Sequence, residues 1–477
     1  MTFTSFNFLL LLPLIVALYQ IVPPRGRSLY LLVVSYGFYW AWSPYGAAAL
    51  AVATGLTFYA GNVVGNPASE RRGRIVFLVA IVLLVTYLSI FKIAAVVPLG
   101  SFAGVALPLG LSYYTFKLMS YIIDIYWGKI KPATNRMDFA AAIAFFPQLS
   151  AGPIQRPADF LQQIPPAQTL IWQGLARVVW GLAKKMLIAD SLAPSVNYVY
   201  SHIGARPGGL DGAALLAGFY LFPLQLYADF SALTDIALGI GMMFGIQGPE
   251  NFNRPFTASS ISDFWRRWHM SLTNWLADYL FTPLRMATRS AGTAGLVLSI
   301  AINMVAIGLW HGITWGYLMF GLVHAVFLIV DALTTRNRAA FFKAYPGWNR
   351  LGEWAGWVLT FHLVLIALVF FRAHSVSDAA WLLSHAWLGF GHAKRDVSHL
   401  LAITGSKVLL MGLAGYAALD VAERFRPDQW WWHYQLTAPH WLRRSMEFAT
   451  VVSVVALLVL LTIRSGNHAS SFLYQVF

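Results

Sequence analysis

The sequence predicts an all-α polytopic membrane protein with about ten to thirteen crossings plus interfacial or re-entrant helices. Of its 477 residues, 58% are hydrophobic and 11% are charged, whereas soluble domains carry roughly a quarter charged residues. Apolar runs of about 20 residues, the length that one crossing requires, recur from end to end. Since no soluble domain, linker or repeat interrupts them, we expect residues 1–477 to form a single integral-membrane domain.

The first apolar segment, FNFLLLLPLIVALYQIV, lacks the basic region and the small-residue cleavage site of a signal peptide. It is therefore predicted to be a retained first helix. The complete set of candidate spans, in chain order, is 5–22, 28–42, 45–66, 74–98, 103–126, 138–154, 171–189, 211–246, 293–310, 313–331, 352–371, 404–422 and 446–463.

The formal net charge of +14 comes from basic residues in short loops between these spans. This placement favours an orientation signal over nucleic-acid binding. Arg25 and Arg27 follow the first span, and Arg71, Arg72 and Arg74 follow the third, whereas the SPYG loop between them carries no charge. The positive-inside rule places the basic loops in the cytoplasm. A basic loop also precedes the last span, so both termini are expected on the outer side of the membrane.

The chain contains no cysteine. This excludes disulfides, thiolate metal sites and a cysteinyl intermediate. We expect neither a metal site nor a bound cofactor.

Unusual polar residues concentrate in a central block, 223–324. Asp229 and Asp235 lie in an apolar run, where a bare carboxylate costs roughly 2.5–3.5 kcal/mol. Each therefore either pairs with a buried arginine or lysine or faces a water-filled cavity. The turn-rich GPENFNRPF follows, with Asn253 and Arg254 between prolines that stop helices on both sides.

The next stretch, SSISDFWRRWHMSLTNWLADYLFTPL, has the pattern of one amphipathic helix. It begins with a capping signal at Ser260, and Asp263 and Arg267 have the spacing of a helical ion pair. His269 lies at the edge of the apolar face, where it is either an interfacial histidine or a functional one. The predicted apolar face consists of Phe264, Trp268, Leu272, Trp275 and Tyr279.

The stretch LWHGITWG places a histidine inside a strongly apolar region. Glycines at 308, 312 and 316 have the spacing that allows close helix packing. The run 293–331 would make about 58 Å of helix, nearly twice the bilayer core. We therefore expect a break near HGIT, with His311 at a helix end and open to a cavity, which suits a general base. His324 is predicted to be structural.

Several stretches carry a family resemblance in their order and spacing. The central ones are DFSALTDIALGIGMMFGI, PENFNRPF, DFWRRWHMSL and LWHGITWG; upstream lie LPLGLSYYTFKLMSYIIDIYWG, FFPQLSAGPIQRP and GLAKKMLIAD. Together they resemble the membrane-bound O-acyltransferase superfamily. Within it, the sequence is similar to a bacterial branch that includes the alginate O-acetyltransferase membrane subunit and the teichoic-acid D-alanyl transferase.

The resemblance implies a multi-helix bundle around a membrane-crossing funnel. It also implies that His311 is the catalytic histidine and His269 the second family histidine. The implied reaction moves acetyl from cytosolic acetyl-CoA to an exported or cell-envelope polysaccharide, with an extracytoplasmic esterase-like partner protein. Further candidate contacts for substrate or donor are Asp229, Ser231, Asp235, Asn253, Arg254, Trp265, Arg266, Trp310 and Lys185.

The chain ends in SFLYQVF, which places Phe472, Tyr474 and Phe477 in an F-x-Y-x-x-F pattern behind the last span. One interpretation is an aromatic anchor at the membrane interface. The other is a relay, in which the Tyr474 hydroxyl accepts the acyl group in the funnel and presents it outside. The tail resembles a C-terminal motif of the same bacterial branch.

Two alternatives remain at the level of sequence. The acyl group could be D-alanyl from a carrier protein. The chain could also be a transporter or flippase of an acylated glycan, in which His311 and the two aspartates relay protons. A transporter would often show two related halves, and this sequence does not.

Overall fold

A computed structural model describes residues 3, 5–94, 96, 108–149, 152–164, 168–203, 210–425 and 439–464. Within these ranges the regular secondary structure is helical, and no strand occurs there. The predicted all-α fold class is therefore confirmed.

The helices group into two compact units. The first contains the described parts of Met1–Ala183, Ala232–Glu250 and Asp428–Val476. Its helices are Phe6–Ile21, Pro24–Gly26 (3₁₀), Arg27–Trp42, Pro44–Gly65, Glu70–Ala94, Leu111–Tyr126, Arg136–Ala144, Phe146–Leu149, Pro157–Leu161, Ile171–Ala183 and His440–Arg464, with the last part of Gly212–Met243.

The second unit contains the described parts of Lys184–Ser231 and Asn251–Pro427. It holds the first part of Gly212–Met243 and all of the predicted histidine motifs. Its other helices are Lys184–Ala189 (π), Asp190–His202, Pro255–Thr257 (3₁₀), Ile261–Trp265, Met270–Leu276, Ala277–Phe281 (π), Thr282–Ala287, Arg289–Ala291 (3₁₀), Gly292–His311, Trp315–Ala344, Pro346–Trp348 (3₁₀), Asn349–Arg372, Val376–His385, Ala393–Thr404 and Ser406–Phe425.

Six described helical segments are long and apolar enough to cross a membrane, or seven if one bent pair counts as a span. The pair Ala393–Thr404 and Ser406–Arg424 bends by 86°, as expected of a broken or re-entrant element. The six are Pro44–Gly65, Glu70–Ala94, Gly212–Met243, Arg289–His311, Trp315–Ala344 and Pro346–Arg372.

This number, counted on the described residues, is smaller than the ten to thirteen crossings expected, because several apolar segments form short or interrupted helices. The candidate span 103–126 also lies partly outside the described residues. Phe6–Ile21 and Arg27–Trp42 have 16 residues each, about 24 Å of helix against a hydrocarbon core of about 30 Å. Segment 138–154 divides at Phe145 into two short helices. Segment 171–189 changes from α to π geometry after Ala183.

Large apolar side chains cover the outside of several helices. On Glu70–Ala94, Leu78, Val79, Val82 and Leu83 are between 49% and 60% exposed. Contiguous exposed apolar surface of this kind marks contact with a membrane or a partner. Together with the long apolar helices, it agrees with a protein embedded in lipid.

The prediction of one amphipathic helix from Ser260 onward is wrong in one respect. Its start is confirmed, since the Ser260 hydroxyl accepts a bond from the Asp263 amide at 3.1 Å, and Asp263 pairs with Arg267 at 2.9 Å. Its apolar face is also buried. However, the helix stops after Trp265 and restarts at Met270, because His269 has a left-handed backbone.

Candidate active site

His311 is the last residue of helix Gly292–His311, and the next helix begins at Trp315. The Thr314 hydroxyl caps that helix by accepting a bond from the Tyr317 amide. The predicted break at HGIT is therefore confirmed. It leaves the His311 imidazole at a helix end, with the residue 6% exposed.

Glycines allow the helices around His311 to approach closely. A Cβ atom on Gly308 would collide with the Tyr317 carbonyl oxygen, and one on Gly316 would lie 2.7 Å from the Phe370 carbonyl oxygen. Real Cβ atoms essentially never make such contacts. The predicted role of this glycine spacing in packing is therefore confirmed.

Aromatic rings surround the His311 imidazole. The ring centroids of Trp310 and Phe371 lie 5.0 Å away, and those of Tyr317 and Phe320 lie 6.1 Å away. The contacts with Trp310, Phe371 and Phe320 are edge-to-face, and such packing restricts ring orientation. His311 is thus held in an aromatic enclosure at the end of its helix.

His269 has a backbone φ of 45° and precedes helix Met270–Leu276 as its N-cap. A non-glycine residue in this region is uncommon, and strained backbone of this kind concentrates at functional sites. The residue is 1% exposed. The left-handed turn, in place of a continuing helix, therefore decides where the His269 imidazole lies.

His269 and His311 both pack against the indole ring of Trp310. The His269 centroid is 5.5 Å from Trp310, and Trp310 is 5.0 Å from His311. Phe230 packs edge-on against His269 at 4.8 Å. The structure therefore brings together both predicted catalytic histidines, Trp310 and the Asp229–Ser231 segment.

His269 lies between two candidate spans, Gly212–Met243 and Arg289–His311. Burial lowers the pKa of its imidazole to about 3, because desolvation disfavours the charged form. His269 is consequently neutral at physiological pH. A neutral imidazole carries one N–H donor and one acceptor nitrogen, which suits hydrogen bonding to a substrate.

Asn251 holds the backbone on both sides of His269, a role that sequence reasoning missed. Its side-chain oxygen accepts bonds from the Ser271 hydroxyl at 2.6 Å and the Ser271 amide at 3.2 Å. Its carbonyl accepts from the Met270 amide at 2.9 Å, and the Asn253 amide donates to the Arg267 carbonyl at 3.0 Å. The NFNRP segment thereby fastens the left-handed turn from one side.

We expect Asn251→Ala to destabilise the protein by about 1–3 kcal/mol, since two buried Ser271 donors lose their acceptor. Acyl transfer should fall as well, because the turn that positions His269 loosens. The matched control is Asn253→Ala, whose exposed side chain is removed while its backbone bond remains. Thermal unfolding in detergent measures the difference; equal unfolding temperatures for the two variants would show that Asn251 does not fasten this turn.

Asp229 has the cationic partner that one interpretation of the sequence required. The Lys185 ammonium lies 2.8 Å from its carboxylate and 2.9 Å from that of Asp190. The side chains of Lys185 and Asp229 are only 3% and 2% exposed. This arrangement is a buried ion-pair network in which the lysine is shared by two carboxylates.

The π-helix Lys184–Ala189 supplies a second contact to the same segment. The Lys184 ammonium donates to the Ser231 hydroxyl at 2.9 Å. Wider turns of this type often occur at functional sites. Here it allows consecutive lysines, Lys184 and Lys185, to reach the Asp229–Ser231 segment.

Asp235 belongs to the other compact unit, where it pairs with Arg177. The Arg177 guanidinium lies 2.9 Å from Asp235 and 2.5 Å from Glu250. Arg177 is 5% exposed. Asp235 therefore forms a buried pair with an arginine, and sequence reasoning identified neither Arg177 nor Glu250 as its neighbours.

Arg254 and Asn253 lie in the turn before the His269 segment. Arg254 has a φ of 47° and lines a small cavity with Asp420 and Glu423. Within this cavity Asp420 pairs with Arg424, and Glu423 accepts a bond from the Tyr227 hydroxyl. The Asn253 side chain is exposed.

Trp265 and His324 form a second layer behind His311. The Trp265 indole donates to His324 Nδ1 at 3.3 Å, and the rings of both contact Phe320, which packs on His311. His324 is 1% exposed.

The remaining predicted site residues are Arg266 and Tyr474. The Arg266 side chain is 68% exposed and lies 3.5 Å from the Asp263 carboxylate. Tyr474 lies outside the described residues.

Comparison with known proteins agrees with these motifs. The sequence profile of the membrane-bound O-acyltransferase family matches residues 132–371. The chain is 36% identical to the probable alginate O-acetylase AlgI of Azotobacter vinelandii, over 82% of this chain and 79% of that protein. It is 34% identical to the corresponding protein of Pseudomonas aeruginosa, over 87% and 80%.

A more distant match is the teichoic acid D-alanyltransferase of Streptococcus thermophilus. Identity is 29%, over 55% of this chain and 68% of that protein. The predicted resemblance to this family and to both of these bacterial groups is confirmed. The match to the family profile ends at Phe371, one of the aromatic residues that surround His311.

Proposed function

The chain belongs to the membrane-bound O-acyltransferase family, and on that premise we propose that it moves acetyl from cytosolic acetyl-CoA onto a hydroxyl of an exported or cell-envelope polysaccharide. The observation that carries this proposal is the pair of histidines that both contact the Trp310 indole. Greater identity to the alginate O-acetylases than to the D-alanyltransferase supports acetyl as the group transferred.

In the proposed reaction His311 is the general base. Its imidazole takes the proton of the attacking hydroxyl as that oxygen adds to the thioester carbonyl. The tetrahedral intermediate then expels the thiolate, which receives that proton from the imidazolium. Imidazole is well matched to this work near neutral pH, and a cysteinyl intermediate is excluded because the chain has no cysteine.

His269 is proposed to polarise the carbonyl or to orient the acceptor. Its low pKa keeps the ring neutral, so it can donate one hydrogen bond to the oxygen that becomes negative in the transition state. Donors fixed before the reaction are most effective in a water-excluded site. His269 is 1% exposed and is fixed by the strained turn and by Phe230.

Candidate contacts for the anionic donor differ in how available they are. Lys185 is engaged by Asp229 and Asp190, and Arg254 is only partly exposed. Arg266 is the most exposed of the three. We therefore assign a phosphate contact to Arg266 and a structural role to Lys185.

Tyr474 is proposed as an acyl relay between His311 and the polysaccharide. Its phenol would attack the thioester, forming an aryl ester and releasing coenzyme A, with His311 carrying the proton. An acceptor hydroxyl would then displace the phenol, which is a better leaving group than an alkyl alcohol. The proposal requires the C-terminus to lie outside, where an esterase-like partner protein could perform the second transfer.

Tyr474→Phe tests the relay, because it keeps an aromatic anchor and removes only the nucleophile. Wild-type protein incubated with acetyl-labelled coenzyme A is expected to carry base-labile label on the chain, and Tyr474→Phe is not. Phe472→Tyr serves as the matched control for the tail. Normal acetylation of the final acceptor by Tyr474→Phe would contradict the relay, and labelling only from a D-alanyl carrier protein would contradict the donor.

A further inference from the structure

The first compact unit contains an apolar cavity of about 600 Å³. Helices Phe6–Ile21 and Ile171–Ala183 form most of its wall, and Met243 and Val454 complete it. Every lining residue except Gln20 is apolar. The volume lies within the range of about 300–1,000 Å³ that is typical of ligand sites.

The depth of the cavity matches one leaflet of a bilayer. Its wall extends from Leu9 to Gln20 on the first helix and from Ile171 to Leu182 on the second. Each stretch rises about 16 Å at 1.5 Å per residue, and half of the hydrocarbon core is about 15 Å. An extended hydrocarbon chain that enters along the helix axes would therefore fit.

One end of the cavity is polar. The Gln20 side-chain oxygen accepts a bond from the Thr169 hydroxyl at 3.2 Å, while its Nε2 is buried with no partner among the described residues. An unsatisfied amide donor is costly in an apolar setting. Arg25 follows five residues later and is exposed at the same end.

We propose that this cavity binds one acyl chain of an anionic phospholipid, with its ester carbonyl at Gln20 and its phosphate at Arg25. The acyl chain occupies the apolar cavity, Gln20 Nε2 donates a hydrogen bond to the ester carbonyl oxygen, and the Arg25 guanidinium balances the phosphate charge. Anionic headgroups are attracted to basic residues at a membrane surface. The ligand is thus a lipid of the leaflet on the Arg25 side.

Two neighbouring residues on the first helix provide a matched test. Ala17 lines the cavity and is exposed to it, whereas Leu18 is exposed but does not line it. Ala17→Trp should fill the cavity and weaken binding of the first phosphatidylglycerol roughly tenfold or more, since two or more methylenes lose their site. Leu18→Trp should bind as wild type does.

Native mass spectrometry of the full-length protein, titrated with phosphatidylglycerol or phosphatidylcholine, measures these affinities. Gln20→Leu, which preserves most of the side-chain volume, should weaken both lipids, and Arg25→Gln should remove the preference for phosphatidylglycerol. Tight binding of a first lipid to Ala17→Trp, or no lipid binding by wild type, would overturn the site. An unchanged headgroup preference in Arg25→Gln would overturn the assigned orientation.

Discussion

His311→Ala is expected to lower the rate of acyl transfer roughly 10²–10⁴-fold, the contribution of a well-placed general base. The imidazole lies at a helix end near the close packing at Gly308 and Gly316, and its ring contacts are with aromatic residues. Its removal therefore leaves the helix break and the surrounding aromatic residues in place. Acetyl content of the envelope polysaccharide in cells, at equal levels of inserted protein, provides the measurement.

Two further variants make this result specific. His311→Gln keeps a polar side chain of similar size but has no basic nitrogen, so it should be as inactive as His311→Ala. His385→Ala removes an exposed histidine of the same unit and should behave as wild type. Residual activity above about a tenth in His311→Ala would be too high for the loss of a general base.

Lys185→Met is expected to have the largest effect on stability. It would leave Asp229 and Asp190 close together without the ammonium that both contact. Breaking a buried ion pair by removing one partner costs about 3–5 kcal/mol, because a buried charge is left uncompensated. Thermal unfolding of the purified protein should report this loss, and the same substitution at the exposed Lys407 should not.

A double variant distinguishes a structural lysine from a donor-binding one. Lys185→Met with Asp229→Leu removes both members of the more buried pair, and stability should largely recover, since apolar replacement of such pairs is often neutral. If Lys185 instead binds the donor, Lys185→Met would retain its unfolding temperature and show a raised KM for acetyl-CoA. That outcome would reverse the role assigned to the lysine.

The sequence was sufficient to predict the helix break at His311. A continuous helix over 293–331 would far exceed the bilayer thickness, and the structure ends one helix at His311 and begins the next at Trp315. The glycine spacing likewise predicted close packing. Both conclusions depend on local composition and length, which a single sequence contains.

The left-handed backbone at His269 could not be predicted in the same way. The surrounding residues have helical periodicity, and the turn is fixed by Asn251, eighteen positions before it in the chain. Similarly, the sequence indicated that Asp229 and Asp235 require basic partners, but not which residues provide them. Lys185 lies 44 residues from Asp229, and Arg177 lies 58 residues from Asp235. Such contacts arise only when the helices pack.

The central proposal is that His311 is the general base for acetyl transfer from acetyl-CoA. Its most direct test is to measure the release of free thiol from acetyl-CoA. Because the protein has no cysteine, a thiol reagent reports coenzyme A alone. Purified wild-type protein should release thiol when acceptor is present, and His311→Ala should release none above background. Equal rates of thiol release from the two proteins would contradict this role.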